Sequence, residues 1–124
     1  MKIKCVFIVF QLFLMFFSTS CTMKWSGEVS FVVEGTISDV DIKYFTNEVV
    51  ENISSTSLPW YSDDISADAD EDNDNGCYIS VKNNTTDISP ITVKIYVDGE
   101  LRAEETGSGA NCTVSTGYTI DEFE

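Results

Sequence analysis

The chain has 124 residues, no histidine, and 21 acidic against 7 basic residues, for a net charge of −14. Such a charge repels phosphate backbones and anionic headgroups, which argues against nucleic acid as a partner. The lack of histidine removes the usual general base, the usual zinc ligand and every Ser-His or Cys-His nucleophile pair, so the chain is expected not to be an enzyme. Paired carboxylates remain as a route to glycoside hydrolysis, but among 21 acids some pair falls at any chosen separation, and the pattern points to no particular one.

Lys2 and Lys4 precede an apolar run from Cys5 to Phe17, broken only by Gln11 and ended by Ser18-Thr19-Ser20-Cys21. Cations, apolar run and small residues in that order predict a secretory signal peptide over residues 1–20. As a helix the run spans about 20 Å. A bilayer core needs about 30 Å, so a transmembrane span is the weaker alternative. Ser18 and Ser20 suit cleavage before Cys21 by an ordinary signal peptidase. The same junction resembles a bacterial lipobox, with Ser18 in place of the usual Leu. That resemblance implies diacylglycerol in thioether linkage on Cys21 and a protein of the bacterial cell envelope, lipid-anchored to a membrane outside the cytoplasm. Cys5 leaves with the leader, and lipidation of Cys21 leaves Cys77 and Cys112 as an even pair. In an oxidising compartment these two are the candidate disulfide; two separate buried thiols are the alternative.

Residues 21–27 read as a lipid-anchored tether, residues 28–116 as one folded domain, and residues 117–124 as a frayed acidic tail. Within the domain, period-two patterns dominate. Val29, Phe31 and Val33 share one face; Val40, Ile42 and Tyr44 alternate with Asp41, Lys43 and Phe45. A weaker strand covers Glu48 to Ile53, a turn covers Ser54 to Pro59, and Trp60 to Ile65 is the next strand. Cys77, Ile79 and Val81 form one apolar face, and Ala110, Cys112 and Val114 another. Ile91, Val93, Ile95 and Val97 alternate with polar residues until Asp98-Gly99, after which Leu101 and Ala103 resume. Asp-Gly between strands predicts a hairpin through a tight primed turn. Seven or eight short strands with regular turn signals predict an all-β fold, an antiparallel β-sandwich.

Asp63, Asp64, Asp68, Asp70, Glu71, Asp72 and Asp74 form an acidic run, expected to be a solvated hairpin tip before Gly76. Asp68, Asp70, Asp72 and Asp74 are the weak candidates for a calcium site. The EF-hand register fails: counted from Asp70, Asn75 stands where the loop needs Gly and Val81 where it needs a bidentate Glu. No other cofactor is implied. Trp60 and Tyr61 are weak candidates for sugar stacking, but neighbours on a regular strand point to opposite faces, and Trp60 is expected in the core. Asn52, Asn83, Asn84 and Asn111 sit in N-x-S/T sequons, which matter only in a eukaryotic secretory pathway.

Several landmarks fall in a familiar order: Phe31-Val32-Val33-Glu34-Gly35-Thr36, Val40 to Tyr44, Leu58-Pro59-Trp60, the strand and Val-Asp-Gly turn from Ile91 to Gly99, and Gly109-Ala110. Together they resemble the mycobacterial membrane protein small family, accessory partners of large lipid and siderophore exporters. The resemblance covers roughly residues 31–114. It implies an immunoglobulin-like sandwich and an accessory role beside a membrane transporter. Taken with the leader, the expected function is a membrane-anchored, non-enzymatic accessory or binding module. The alternative is a surface ligand-binding or adhesion lipoprotein that touches glycan or calcium.

Overall fold

The structure is a computed structural model and describes residues 24–46, 49–70 and 75–120. The predicted signal peptide, Cys21, and residues 71–74 and 121–124 lie outside the described residues. The described residues form the expected all-β sandwich, with nine strands among them: β1 Lys24–Glu34, β2 Val40–Phe45, β3 Val50–Thr56, β4 Trp60–Tyr61, β5 Ile65–Asp70, β6 Asn75–Asn83, β7 Ile91–Val97, β8 Glu100–Gly107 and β9 Thr113–Ile120. Among the described residues there is no helix.

One sheet runs β4-β1-β7-β8, with β5 continuing along the same edge of β1 as β4; the other runs β3-β2-β6-β9. All pairings are antiparallel. Between β4 and β5 the ladder is bridged by Ser62, whose N–H donates to the Phe31 carbonyl (2.9 Å) and whose Oγ accepts from the Phe31 N–H (2.9 Å). The broken edge strand therefore leaves neither Phe31 backbone group unpaired.

Strict alternation puts one apolar row of each central strand between the sheets. Val29, Phe31 and Val33 of β1, Ile91, Val93 and Ile95 of β7, and Ile79 and Val81 of β6 are fully buried. Each such side chain contributes roughly 1.5–3 kcal/mol by leaving water. At one end Phe31, Tyr44 and Trp60 form an aromatic chain, with ring centroids 4.8 and 5.5 Å apart. Burial, followed by the charges of Glu51 and Asp63, pushes the Tyr44 phenol above its usual 10.0.

The family-like landmarks have structural tasks. Gly35, at φ +151°, sits so close to the Pro90 carbonyl and Leu58 that an added Cβ would lie 3.0 and 3.1 Å from them. Buried Leu58 donates its N–H to the Ile37 carbonyl (2.9 Å), tying the β3–β4 turn to the β1–β2 crossover. Asp98 and Gly99 have φ of 52° and 82°, the primed turn expected of the β7–β8 hairpin. Asp98 also clamps β1: its N–H donates to the Glu28 carbonyl and its Oδ1 accepts from the Glu28 N–H.

Ser54 to Thr56, read as turn, extends β3, and the strand read over Trp60 to Ile65 breaks after Tyr61. Three further expectations are corrected. Lys24 to Gly27, read as tether, is strand, paired with Asp70 to Ala67. Asp68 to Asp70, read as part of a loop tip, belongs to β5, where Ala67 and Ala69 are buried. Gly117 to Ile120, read as tail, pairs with Tyr78 to Asn75, and Ile120 is fully buried. In each case small or polar residues hid a two-residue period.

Candidate functional site

The residues singled out in the sequence do not form one site. Cys21, Asp72 and Asp74 lie outside the described residues. Asp68 is exposed on β5, and Asp70 ends that strand. A strand does not wrap oxygens round a calcium ion, and no three His, Cys, Asp or Glu side chains converge among the described residues. Trp60 packs against the core while Tyr61, its neighbour on β4, is 65% exposed on the opposite face.

The candidate Cys77–Cys112 disulfide is corrected. Both cysteines contact the core, but both are thiols, and only Cys77 keeps its expected face: Cys112 precedes β9, and Ala110, read on the same face, is exposed in a turn. Cys77 lies near the start of β6, opposite Tyr118, while the Cys112 carbonyl accepts from the N–H of Asn83 at the other end of that strand (2.9 Å). The stretch between spans roughly 20 Å at about 3.3 Å per residue, far beyond the roughly 7 Å between Cα atoms that a disulfide tolerates. Phase fixes the face of a sheet and is silent about which end.

What the structure does bring together is the outer face of the β3-β2-β6-β9 sheet. The residues out of phase with the core form rungs there. Asp41 pairs with Lys82, Lys43 with Ser80, and Phe45 with Tyr78 across β2 and β6. On the flanking strands Asn52 lies opposite Lys43, and Gly117 lies opposite Tyr78. Asp41, Lys43, Asn52, Ser54, Ser80 and Lys82 line a groove of about 210 Å³. One rung further, the Phe45 and Tyr78 rings stack at 5.3 Å between centroids with planes 28° apart.

The groove's electrostatics are set by named contacts. Asp41 Oδ1 accepts from the Ser55 N–H (2.9 Å) and from Asn84 Nδ2 (2.9 Å). The Ser55 bond, then the Asn84 bond, with the Lys82 charge as a further contribution, hold the carboxyl below the usual 3.8 against an opposing desolvation. The carboxylate is thus fixed and ionised. Ser55 reaches it because it adopts φ 50° beside an irregularity in the β2–β3 register. Lys43 and Lys82 are both exposed. Among the described residues neither makes an ion pair, whereas Lys94 meets Glu34 and Arg102 meets Glu100, each at 3.1 Å.

In the sequence Asp41, Lys43 and Phe45 stand only as the phase that alternates with Val40, Ile42 and Tyr44. Phe45 was the available signal, because a large aromatic out of phase with the core stands on the outside of the sheet.

Across the sandwich, the outer face of the other sheet carries Tyr61 opposite Val32 and Leu101 opposite Tyr96, a diagonal apolar stripe over β4, β1, β7 and β8. Lys94, opposite Val32, is held charged above its usual 10.5, mainly by its hydrogen bond to Glu34. No protein-family model matches this chain, and no curated protein is significantly similar to it.

Proposed function

We propose that the chain is an exported, lipid-anchored, non-enzymatic binding module of the bacterial envelope, and that it holds its ligand on the outer face of the β3-β2-β6-β9 sheet. The observation that carries this reading is the groove beside the Phe45–Tyr78 pair, where two lysines face solvent without an ion-pair partner among the described residues. A groove with convergent polar groups and an adjacent aromatic ledge suits a small polar ligand such as a glycan. Phe45 and Tyr78, rather than Trp60 and Tyr61, supply the aromatic surface. The anchor belongs to the same proposal. Cys21 carries diacylglycerol, and two or more acyl chains hold a protein stably at about 0.8 kcal/mol per buried CH₂.

The purified protein, probed on a glycan array, is expected to retain a defined set of glycans and to lose them on Phe45→Ala with Tyr78→Ala. The unchanged melting temperature of that variant serves as the folding control. Retention of no glycan would overturn the reading. Mass spectrometry of the mature N-terminus should find Cys21 diacylated; recovery of soluble protein with an unmodified Cys21 would remove the anchor.

A second reading, the accessory partner of a large exporter, is favoured by the apolar stripe of Val32, Tyr61, Tyr96 and Leu101 together with the sequence resemblance. A photoreactive residue at Tyr61 would then cross-link to a polytopic membrane protein encoded beside this gene. Cross-linking to no such protein would set this reading aside.

A further inference from the structure

We infer that the groove takes a short acidic glycan, one whose sugar ring carries a carboxylate in the manner of a uronic acid. This rests on the binding-module reading and names the ligand class for the same face.

Charge is the first ground. Lys43 lies opposite Ser80, and Lys82 is the next outward residue on β6. The two lysines are thus diagonal neighbours, about 7–8 Å apart at the backbone. Their flexible four-carbon stems let both ammonium groups reach a single carboxylate between them. The chain carries only 7 basic residues against 21 acids. The two cations outnumber the groove's one carboxylate, Asp41, which the Lys82 charge helps keep ionised, and leave a net positive site within a negative field. That field opposes dense polyanions such as nucleic acid. One carboxylate per ring is a charge that two lysines can neutralise.

Hydrogen bonding is the second ground. The amide of Asn52 and the hydroxyls of Ser54 and Ser80 line the same volume, and these groups both donate and accept, as sugar hydroxyls do. Asp41 adds a fixed acceptor, pinned by Ser55 and Asn84 before any ligand arrives. Such preorganisation lowers the entropic cost of binding.

Size and shape are the third. At about 210 Å³ the groove is smaller than a drug-sized pocket and takes one ring rather than a whole oligosaccharide. The next sugar would lie over the Phe45–Tyr78 rung, about 7 Å along the strands. Gly117 opposite Tyr78 places no side chain over that end of the ledge. The half-buried rings offer apolar surface to the C–H face of a pyranose, so the acidic ring sits on the lysines and its neighbour on the aromatics.

Isothermal titration of the purified protein against trigalacturonic acid, its methyl ester and inorganic phosphate separates the possibilities. The acid is expected to bind at least tenfold more tightly than the ester. Lys43→Gln with Lys82→Gln should bring the acid down to the ester's affinity. Both substitutions fall on exposed positions, and an unchanged melting temperature confirms folding. Tyr78→Ala should weaken acid and ester alike. Equal affinity for acid and ester, lost in Tyr78→Ala, would overturn the acidic class and leave the binding module standing. Phosphate binding more tightly than trigalacturonic acid would overturn the glycan class. Failure of both glycan forms to bind, together with an empty glycan array, would overturn the module itself.

Discussion

Asn83 shows how much one buried polar side chain can hold. Its Nδ2 donates to the carbonyls of Asp87 (2.8 Å) and Gly109 (3.0 Å), and its Oδ1 accepts from the N–H (2.8 Å) and Oγ1 (2.7 Å) of Thr85. The side chain is fully buried and joins the end of β6 to the loops before β7 and before β9. Asn83→Ala leaves several of these groups unsatisfied and is expected to cost about 2–4 kcal/mol in urea unfolding. A loss below about 1 kcal/mol would show that the loops hold without it. The same burial makes its N-x-T sequon unusable in the folded chain. Asp41 gives a pH-dependent counterpart. Its carboxyl lies below 3.8 because of the Ser55 N–H, then the Asn84 amide. Its contribution to stability is therefore fully present above 3.8 and lost as pH falls through the lower folded value. Carboxyl NMR titration should place its midpoint below 3.8, and Asn84→Ala should move it back up. A midpoint unmoved by that substitution would show that Asn84 does not hold the carboxylate. Neither role was legible in the sequence, because an asparagine looks the same whether it faces water or three chain segments.

At the scale of elements, β5 is the test. Its alternating residues are charged and small, so composition suggested solvent, yet Ala67 and Ala69 are 2% exposed and pair with Gly27 and Trp25 of β1. Ala69→Asp buries a carboxylate against the core and is expected to destabilise the protein by about 2–4 kcal/mol. Asp68→Ala, on the outward phase, should change stability by less than about 0.5 kcal/mol. If the two cost the same, β5 does not pack as described. Strands with Val and Ile on one phase, such as β1, β2, β6 and β7, were legible because their burial is written in branched side chains. The β7–β8 hairpin was legible because Asp98-Gly99 specifies its turn. The ends of β1 and β9 were not, since Trp25-Ser26-Gly27 and Gly117-Tyr118-Thr119 dilute the period with small and polar residues.

The described residues form two sheets around one apolar layer. With Cys77 and Cys112 as thiols at opposite ends of β6, reductant is expected to leave the melting temperature unchanged. Both thiols should alkylate on unfolding without prior reduction; a mixed or bridged product would place the strands differently. The sandwich class followed from strand number and alternation. The groove did not, because it arises only when β2, β3 and β6 are set side by side, and strand order is a long-range property absent from local pattern. The proposed ligand face is this outer face of the β3-β2-β6-β9 sheet. Amide chemical-shift mapping of the isotope-labelled protein titrated with trigalacturonic acid tests it most directly. The expected perturbations cluster at Asp41 to Phe45, Asn52 to Ser54 and Tyr78 to Lys82. Shifts centred instead on Val32, Tyr61, Tyr96 and Leu101, or no shifts at all, would contradict it.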